Sequence, residues 1–271
     1  MHPYVITDVF TDTPLEGNPL AVFTAGDRVP EERMQRLAKE LNLSETVFVL
    51  PAERGGDARI RIFTPAAELP FAGHPTLGTA LLLADGRDEI TLETGAGDIR
   101  ITIDAGGEGQ MAQPIPTWQA YDQAGELLAA LGVGQAELPV EIYQNGPRHV
   151  YVALPSADAV AALAPDLTRL GRLGAMGVNC FAGSAQEWKT RVFCPGLGVP
   201  EDPATGSAAG PLAVHLARHG RIGFGQRVRI SQGAEIGRPS TLYAQVDGSG
   251  DDIERVLVSG SAVVVARGEF S

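Results

Sequence analysis

Ile60-Arg-Ile-Phe-Thr-Pro65 returns, in closely related residues, as Thr190-Arg-Val-Phe-Cys-Pro195. A few residues after each copy an X-Pro step opens an apolar, small-residue run. These runs are His74-Pro-Thr-Leu-Gly-Thr-Ala80 and Asp202-Pro-Ala-Thr-Gly-Ser-Ala208. Phe63 and Phe193 lie 130 positions apart, Pro75 and Pro203 lie 128 apart, and a two-residue gap brings both pieces into register. Upstream, Thr46-Val-Phe-Val-Leu-Pro51 has a looser counterpart in His149-Val-Tyr-Val-Ala-Leu-Pro155. The two closer matches, in the same order and at nearly one offset, mark an internal duplication. Each half reads strand, strand, X-Pro turn, central apolar helix, further strands. The Pro-rich stretch Gln113-Pro-Ile-Pro-Thr-Trp118 separates the halves. Two similar domains are therefore expected, 1–117 and 118–271, with the terminal strand 256–271 free to pack back on the first.

About a dozen short runs rich in Val, Ile, Thr and aromatics read as strands, among them Thr46–Leu50, Ala58–Phe63, Lys189–Phe193 and Val256–Ala266. Four segments read as helices. Glu31–Leu41 and Gly125–Leu131 are amphipathic, whereas Pro75–Ala84 and Pro203–His219 are apolar on all sides and so predicted to be buried. Many strands with few helices make an α+β protein of two similar domains, each with a central apolar helix. With 44% hydrophobic residues the chain can build a real core, and its 271 residues allow two domains. The net charge of −12, without a local cluster of Lys or Arg, argues against nucleic acid as a partner. The first residues lack the basic and apolar regions of a signal peptide, and no apolar run reaches the ~20 residues of a membrane span. Two cysteines, Cys180 and Cys194, make no disulfide framework, so a cytoplasmic location away from membranes is expected.

Pro75 and Pro203 fit the first helical position, which would make His74 and Asp202 the caps of two equivalent helices. Helix N-termini offer unpaired N–H groups and a positive dipole end, a site for a carboxylate. Thr76, Gly206 and Ser207 supply further donors on those first turns. Glu45 stands at the entry of an apolar strand that precedes the one leading to His74. Glu45, His74 and Asp202 together form a carboxylate, imidazole and carboxylate set suited to moving protons. Other features carry less. His215 and His219 have the i, i+4 spacing of zinc ligands, but no Glu lies between them and His219-Gly220 reads as a helix end. Cys180 reads as core. Ser207 is not in a nucleophile elbow, and Gly196-Leu-Gly lacks the rest of a dinucleotide fingerprint. No metal, nucleotide, flavin or other cofactor is expected.

Glu16-Gly-Asn-Pro19, Asn42-Leu-Ser-Glu-Thr46, Phe71-Ala-Gly-His-Pro75 and Glu201-Asp-Pro-Ala-Thr-Gly-Ser207 resemble the signatures of the phenazine-biosynthesis, PhzF-like family. The likeness runs through the whole chain. It includes Glu141-Ile-Tyr-Gln-Asn-Gly-Pro-Arg-His-Val150 and Asn179-Cys-Phe-Ala-Gly183. It implies the diaminopimelate epimerase fold, each domain a curved, mostly antiparallel sheet around a central helix, with an active site in the interdomain cleft, and a cofactor-free homodimer. The implied substrate is a small carboxylate-bearing cyclohexadiene, trans-2,3-dihydro-3-hydroxyanthranilate, isomerised to 6-amino-5-oxocyclohex-2-ene-1-carboxylate. By position, Glu45 would move the proton from C3 to C1. His74 and Asp202 would hold the hydroxyl and amine, and Gly73 and Ser207 the carboxylate. Where related epimerases carry two cysteines, this chain has Gly73 and Asp202. The residues by themselves leave open another cofactor-independent epimerase or isomerase of a small amino or hydroxy acid, or a silent binding protein.

Overall fold

Runs of Val, Ile and Phe bounded by Gly, Pro or Asn supply the strands of a first unit, Met1–Ala112 with Ser259–Ser271. Its strands are β1 (His2–Val9), β2 (Asn18–Phe23), β3 (Glu45–Leu50), β4 (Ala58–Phe63), β5 (Glu68–Leu69), β6 (Glu89–Thr94), β7 (Gly97–Ile103) and β8 (Gly109–Gln113). Helix α1 (Glu31–Leu41) lies between β2 and β3, and α2 (Gly73–Leu83) between β5 and β6. The second unit, Gln113–Val258, begins with β9 (Thr117–Ala120), α3 (Ala124–Leu131), β10 (Glu141–Gln144) and β11 (Arg148–Ala153). It continues with α4 (Ala157–Ala161), α5 (Leu167–Arg172), β12 (Gly177–Ser184), β13 (Glu187–Cys194) and β14 (Val199–Asp202). Helix α6 (Gly206–Arg218) follows, then β15 (Val228–Gln232), β16 (Ser240–Ser249) and β17 (Asp252–Gly260). The last strand, β18 (Ala262–Phe270), pairs antiparallel with β1. The computed structural model describes every residue from Met1 to Ser271. Its units divide between Ala112 and Gln113, upstream of the expected 117/118.

Both units pair their strands in the same order of directions. In the first, β1–β2 is antiparallel, β2–β3 parallel, β3–β4 and β4–β5 antiparallel, β4–β6 parallel and β6–β7 antiparallel. In the second, the series β10–β11, β11–β12, β12–β13, β13–β14, β13–β15 and β15–β16 repeats those directions one for one. The duplication is thus a duplication of topology, and α2 answers to α6. One match shifts. The strand at Thr46 is β3, whose counterpart by pairing is β12, whereas the strand at His149 is β11, the counterpart of β2. An apolar run that ends in Leu-Pro describes either strand, so likeness of residues slid by one element.

Each central helix is apolar all round because it is buried all round. Helix α2 packs against β1, β2, β3, β6, β7 and β18. Gly78 permits the closest approach: a Cβ there would lie 2.5 Å from a methyl of Val9. Helix α6 is buried from Gly206 to Ala217 and lies on β16 and β11. The first unit has a second core under α1, where Phe23 and Phe48 stack at 4.7 Å. No helix is long and apolar enough to cross a membrane. The run 256–266 is two strands, because Gly260 lies against the Phe10 ring and Ser261 turns its carbonyl to the Phe10 N–H. Helices α4 and α5, each a turn or two capped by Ser156 and Asp166, are too short for periodicity to reveal.

Pro211 stands inside α6 and has no N–H, so the carbonyl four residues back, that of Ser207, loses its intrahelical donor. The second unit replaces it: Asn145 Nδ2 donates to the Ser207 carbonyl at 3.0 Å. Gln113 Nε2 donates to the Gly206 carbonyl at 2.9 Å, and the Tyr151 hydroxyl to Ala208 at 2.8 Å. Asn145→Ala should therefore cost about 1–3 kcal/mol of stability by orphaning a buried carbonyl. Adding Pro211→Ala should recover part of that loss, since an alanine there restores an N–H for the Ser207 carbonyl. Denaturant melts of both variants check this, and equal stability of the single and double variants would refute it.

Candidate active site

Glu45 is the first residue of β3, where the apolar strand meets its loop, and its side chain is 17% exposed. His74 lies in the first turn of α2, with its side chain 5% exposed. His74 Nδ1 and Glu45 Oε2 are 3.1 Å apart, within hydrogen-bonding distance. The other ring nitrogen, Nε2, is buried and has no hydrogen-bond partner. The pair therefore fixes one end of the imidazole and leaves the other end with its bonding capacity unused. Carboxylate and imidazole held this way can accept a proton from one atom and return it to another.

The helix starts differ from the expected ones. Helix α2 begins at Gly73 after Ala72, so Pro75 is its third residue and His74 lies inside the helix. Helix α6 begins at Gly206 after Thr205, and both Asp202 and Pro203 precede it. Asp202 ends β14 instead of capping α6. The reason is Gln232, a buried residue at the end of β15. Its Nε2 donates to the Asp202 carbonyl at 2.7 Å and to Thr205 Oγ1 at 3.0 Å, and its Oε1 accepts the Thr205 N–H at 3.1 Å. These bonds satisfy the chain through Thr205 without a helix. The Thr205 hydroxyl donates to Asp202 Oδ2 at 2.5 Å, which aims the carboxylate. Glycines, not prolines, thus register the two helices. Gly73 and His74 in α2, and Gly206 and Ser207 in α6, occupy first-turn positions whose N–H groups have no intrahelical acceptor. Thr76 leaves the set, since its buried hydroxyl donates to the Ala72 carbonyl at 2.8 Å.

The expected residues form two groups, each complete within its unit: Glu45, Gly73 and His74 in the first, and Asp202, Gly206 and Ser207 in the second. Three residues beside the second group have no motif of their own: Gln232, Asn145 and His149. His149 Nε2 lies 3.1 Å from Ser207 Oγ, both buried. The run Asn145-Gly-Pro-Arg-His149 after a strand was the available sign.

His215 and His219 come together as their spacing implies, and a third partner, a carboxylate, comes from another element. Glu141 Oε2 of β10 lies 3.1 Å from His215 Nδ1 and 3.1 Å from His219 Nε2. The three could surround an ion. However, Arg218 Nη1 sits 2.9 Å from the same oxygen and donates to the Tyr143 hydroxyl at 2.7 Å, with its guanidinium over Trp118. A resident cation already occupies the carboxylate. Burial alone would raise the Glu141 carboxyl, but hydrogen bonds from His215, His219 and Tyr143, with the Arg218 charge, hold it far below the usual range. Burial lowers His215 against the pull of Glu141, and burial pushes His149 down to about 4. Cys180 and Cys194 are unpaired by disulfide and buried, and burial pushes the Cys180 thiol up.

Residues 7–268 match the family model described as phenazine biosynthesis-like protein. The chain belongs to that family. A family relative from Pseudomonas fluorescens, named trans-2,3-dihydro-3-hydroxyanthranilate isomerase, is 54% identical over 274 residues, 99% of each chain. The solved PhzF-family protein of Bacillus anthracis has a TM-score of 0.86 and 26% identity, covering 100% of this chain and 99% of its own. A hydroxyproline epimerase from Agrobacterium vitis, with a TM-score of 0.63 and 13% identity over 98% of this chain and 90% of its own, shares the fold. The duplicated α+β architecture read from the sequence is thus the architecture of this family.

Two outcomes follow from the histidines. Thermal melts with added zinc and with a chelator should superpose, because Arg218 holds the only oxygen that both histidines reach; a melting temperature raised by zinc would make the trio a metal site. Separately, stability should fall as pH drops through about 6.5, because unfolded histidines take up protons that buried His149 and His215 refuse. Each such proton steepens the loss by about 1.4 kcal/mol per pH unit. His215→Gln should make that slope shallower in denaturant melts between pH 7 and pH 4.5.

Proposed function

We propose that this chain isomerises trans-2,3-dihydro-3-hydroxyanthranilate to 6-amino-5-oxocyclohex-2-ene-1-carboxylate, using side chains alone as acids and bases. The observation that carries the reading is the Glu45–His74 pair, a carboxylate and an imidazole 3.1 Å apart with His74 Nε2 buried and unpartnered. Support for the substrate comes from the 54% identity, along the full length, to the Pseudomonas fluorescens isomerase.

In this reading Glu45 removes the proton at C3 and delivers it at C1 while the double bonds move along the ring. The enol left at the hydroxyl-bearing carbon becomes the ketone. His74 holds the hydroxyl and shares its proton with Glu45. Asp202, aimed by Thr205 and Gln232, takes the amine. The first-turn amides of Gly73, Gly206 and Ser207, with the Ser207 hydroxyl, take the carboxylate, so a chain of net charge −12 gains an anion site without a lysine. That both groups of residues serve one substrate, and that the protein works as a homodimer, rest on the family likeness. The buried, reduced cysteines accord with work in the cytoplasm.

Glu45→Gln keeps the shape of the side chain and removes its basicity. Turnover should fall by roughly 10²–10⁴-fold, the usual contribution of a positioned base. Binding of 3-hydroxyanthranilate, an unreactive aromatic relative of the substrate, should stay nearly as in the parent. Retention of more than about a tenth of the parental kcat, a loss of less than about 1.4 kcal/mol, would remove Glu45 from the role of base.

A further inference from the structure

We infer that His149 is a positioning residue that sets the direction of the Ser207 hydroxyl, so that Ser207 donates its proton to the substrate's carboxylate. The inference rests on the carboxylate role given to Ser207 above. His149 is the second residue of β11, and its ring lies over Gly177 of the parallel neighbour β12, its register partner. A side chain at position 177 would begin 2.4 Å from His149 Nδ1, so glycine is what lets the ring lie there. The other nitrogen, Nε2, meets Ser207 Oγ at 3.1 Å.

The pair can bond in two ways. Ser207 can donate to a bare Nε2, which leaves an N–H on Nδ1. Alternatively Nε2–H can donate to Ser207, which leaves a lone pair on Nδ1. Nδ1 is buried and has no hydrogen-bond partner, so whatever it carries is unpaired. Buried unpaired N–H groups are rarer than unpaired acceptors, which favours the proton on Nε2. The imidazole is also neutral at working pH, since burial pushes it down to about 4, so a single N–H is available for this choice. Ser207 Oγ then accepts from His149, and its own hydrogen must go to a second acceptor. The backbone around it is already committed: the Ser207 carbonyl takes the Asn145 amide, and the Gly206 carbonyl takes Gln113. A carboxylate at the first turn of α6 is the acceptor that completes the hydroxyl. A neutral histidine thus makes a serine, able to donate or accept, into a donor.

The test is a double-mutant cycle on Ser207→Ala and His149→Leu, reading KM, kcat and the Kd of 3-hydroxyanthranilate. Each single change should raise KM and Kd about tenfold, the loss of one hydrogen bond to a charged group at the low end of its range. Neither should move kcat more than about threefold, because the contact is equally present before and during proton transfer. The double variant should bind no worse than Ser207→Ala alone. His149→Gln, whose side-chain amide also donates, should recover most of the affinity. Additive losses, or an unchanged Kd in His149→Leu beside a raised one in Ser207→Ala, would overturn the role of His149 and leave the carboxylate reading standing. An unchanged Kd in Ser207→Ala would overturn that reading and the inference with it. Nitrogen-15 spectra of the unaltered protein read the tautomer directly and do not depend on any variant folding. Nε2–H is expected at every pH from 6 to 8, and Nδ1–H would overturn the inference.

Discussion

A helix buried on every side has no water with which to satisfy its ends, and that constraint governs both halves of this molecule. The first N–H groups and any carbonyl left without a donor must find side chains. In α6 the demand is greater, because Pro211 removes the donor that the Ser207 carbonyl would have used. Asn145, Gln113, Gln232 and Tyr151 answer it, each from a different position in the second unit. The same side chains that satisfy the backbone also fix where Asp202 points and where Ser207 sits. Rigidity at the site is therefore a by-product of burying the helix. Its amides remain oriented and unpaired, which is what an anion-binding end requires.

The electrostatics of the two histidine environments show how much context decides. His74 meets Glu45 through Nδ1 and leaves its second nitrogen without a partner. His215 is as deeply buried, yet its carboxylate partner also holds Arg218 and His219, so the charge is committed several times over. Four donors on one oxygen of Glu141 make a tie between β10 and the C-terminal end of α6. One carboxylate with one imidazole is the pair to which the proposed function gives the proton transfer. A spacing of i, i+4 on a helix cannot distinguish a metal site from such a tie, because the deciding groups, Glu141 and Tyr143, lie more than seventy residues away.

Topology was legible in the sequence because it is written in local patterns. The repeated Arg-x-Phe strand, the two apolar helices and the amphipathic α1 each depend on residues within a dozen positions. Glu45 and His74 were legible for a similar reason: a charge at the mouth of an apolar strand and an imidazole at a helix start stand out. The helix boundaries were not. His-Pro and Asp-Pro look equivalent as dipeptides, but only the second lies beside a buried glutamine, Gln232, that holds the following residues out of the helix. Thr76 looked like a donor for a ligand until the Ala72 carbonyl, brought near by the turn itself, claimed its hydroxyl. The stretch holding His149 stood out, but its contact did not, since its partner Ser207 lies 58 positions along in α6 and its fit depends on the absence of a side chain at Gly177.

The duplication copied the scaffold and left the chemistry unequal. Strand directions in the two units agree pair for pair, and a glycine opens each central helix. Beyond the glycine they part. In α2 the next residue is His74, paired with a carboxylate from β3. In α6 it is Ser207, paired with a neutral imidazole from β11. The strand that answers to β3 in the second unit is β12, and its first residue is Gly177 where β3 has Glu45. That glycine is also what admits the His149 ring. Placing a carboxylate at that position would remove the room His149 needs, so one unit cannot hold both a carboxylate there and the His149 ring. In the function proposed above, two halves alike in topology thereby supply one base and one anion-binding end, the division of labour that a proton shift on a carboxylate-bearing ring requires.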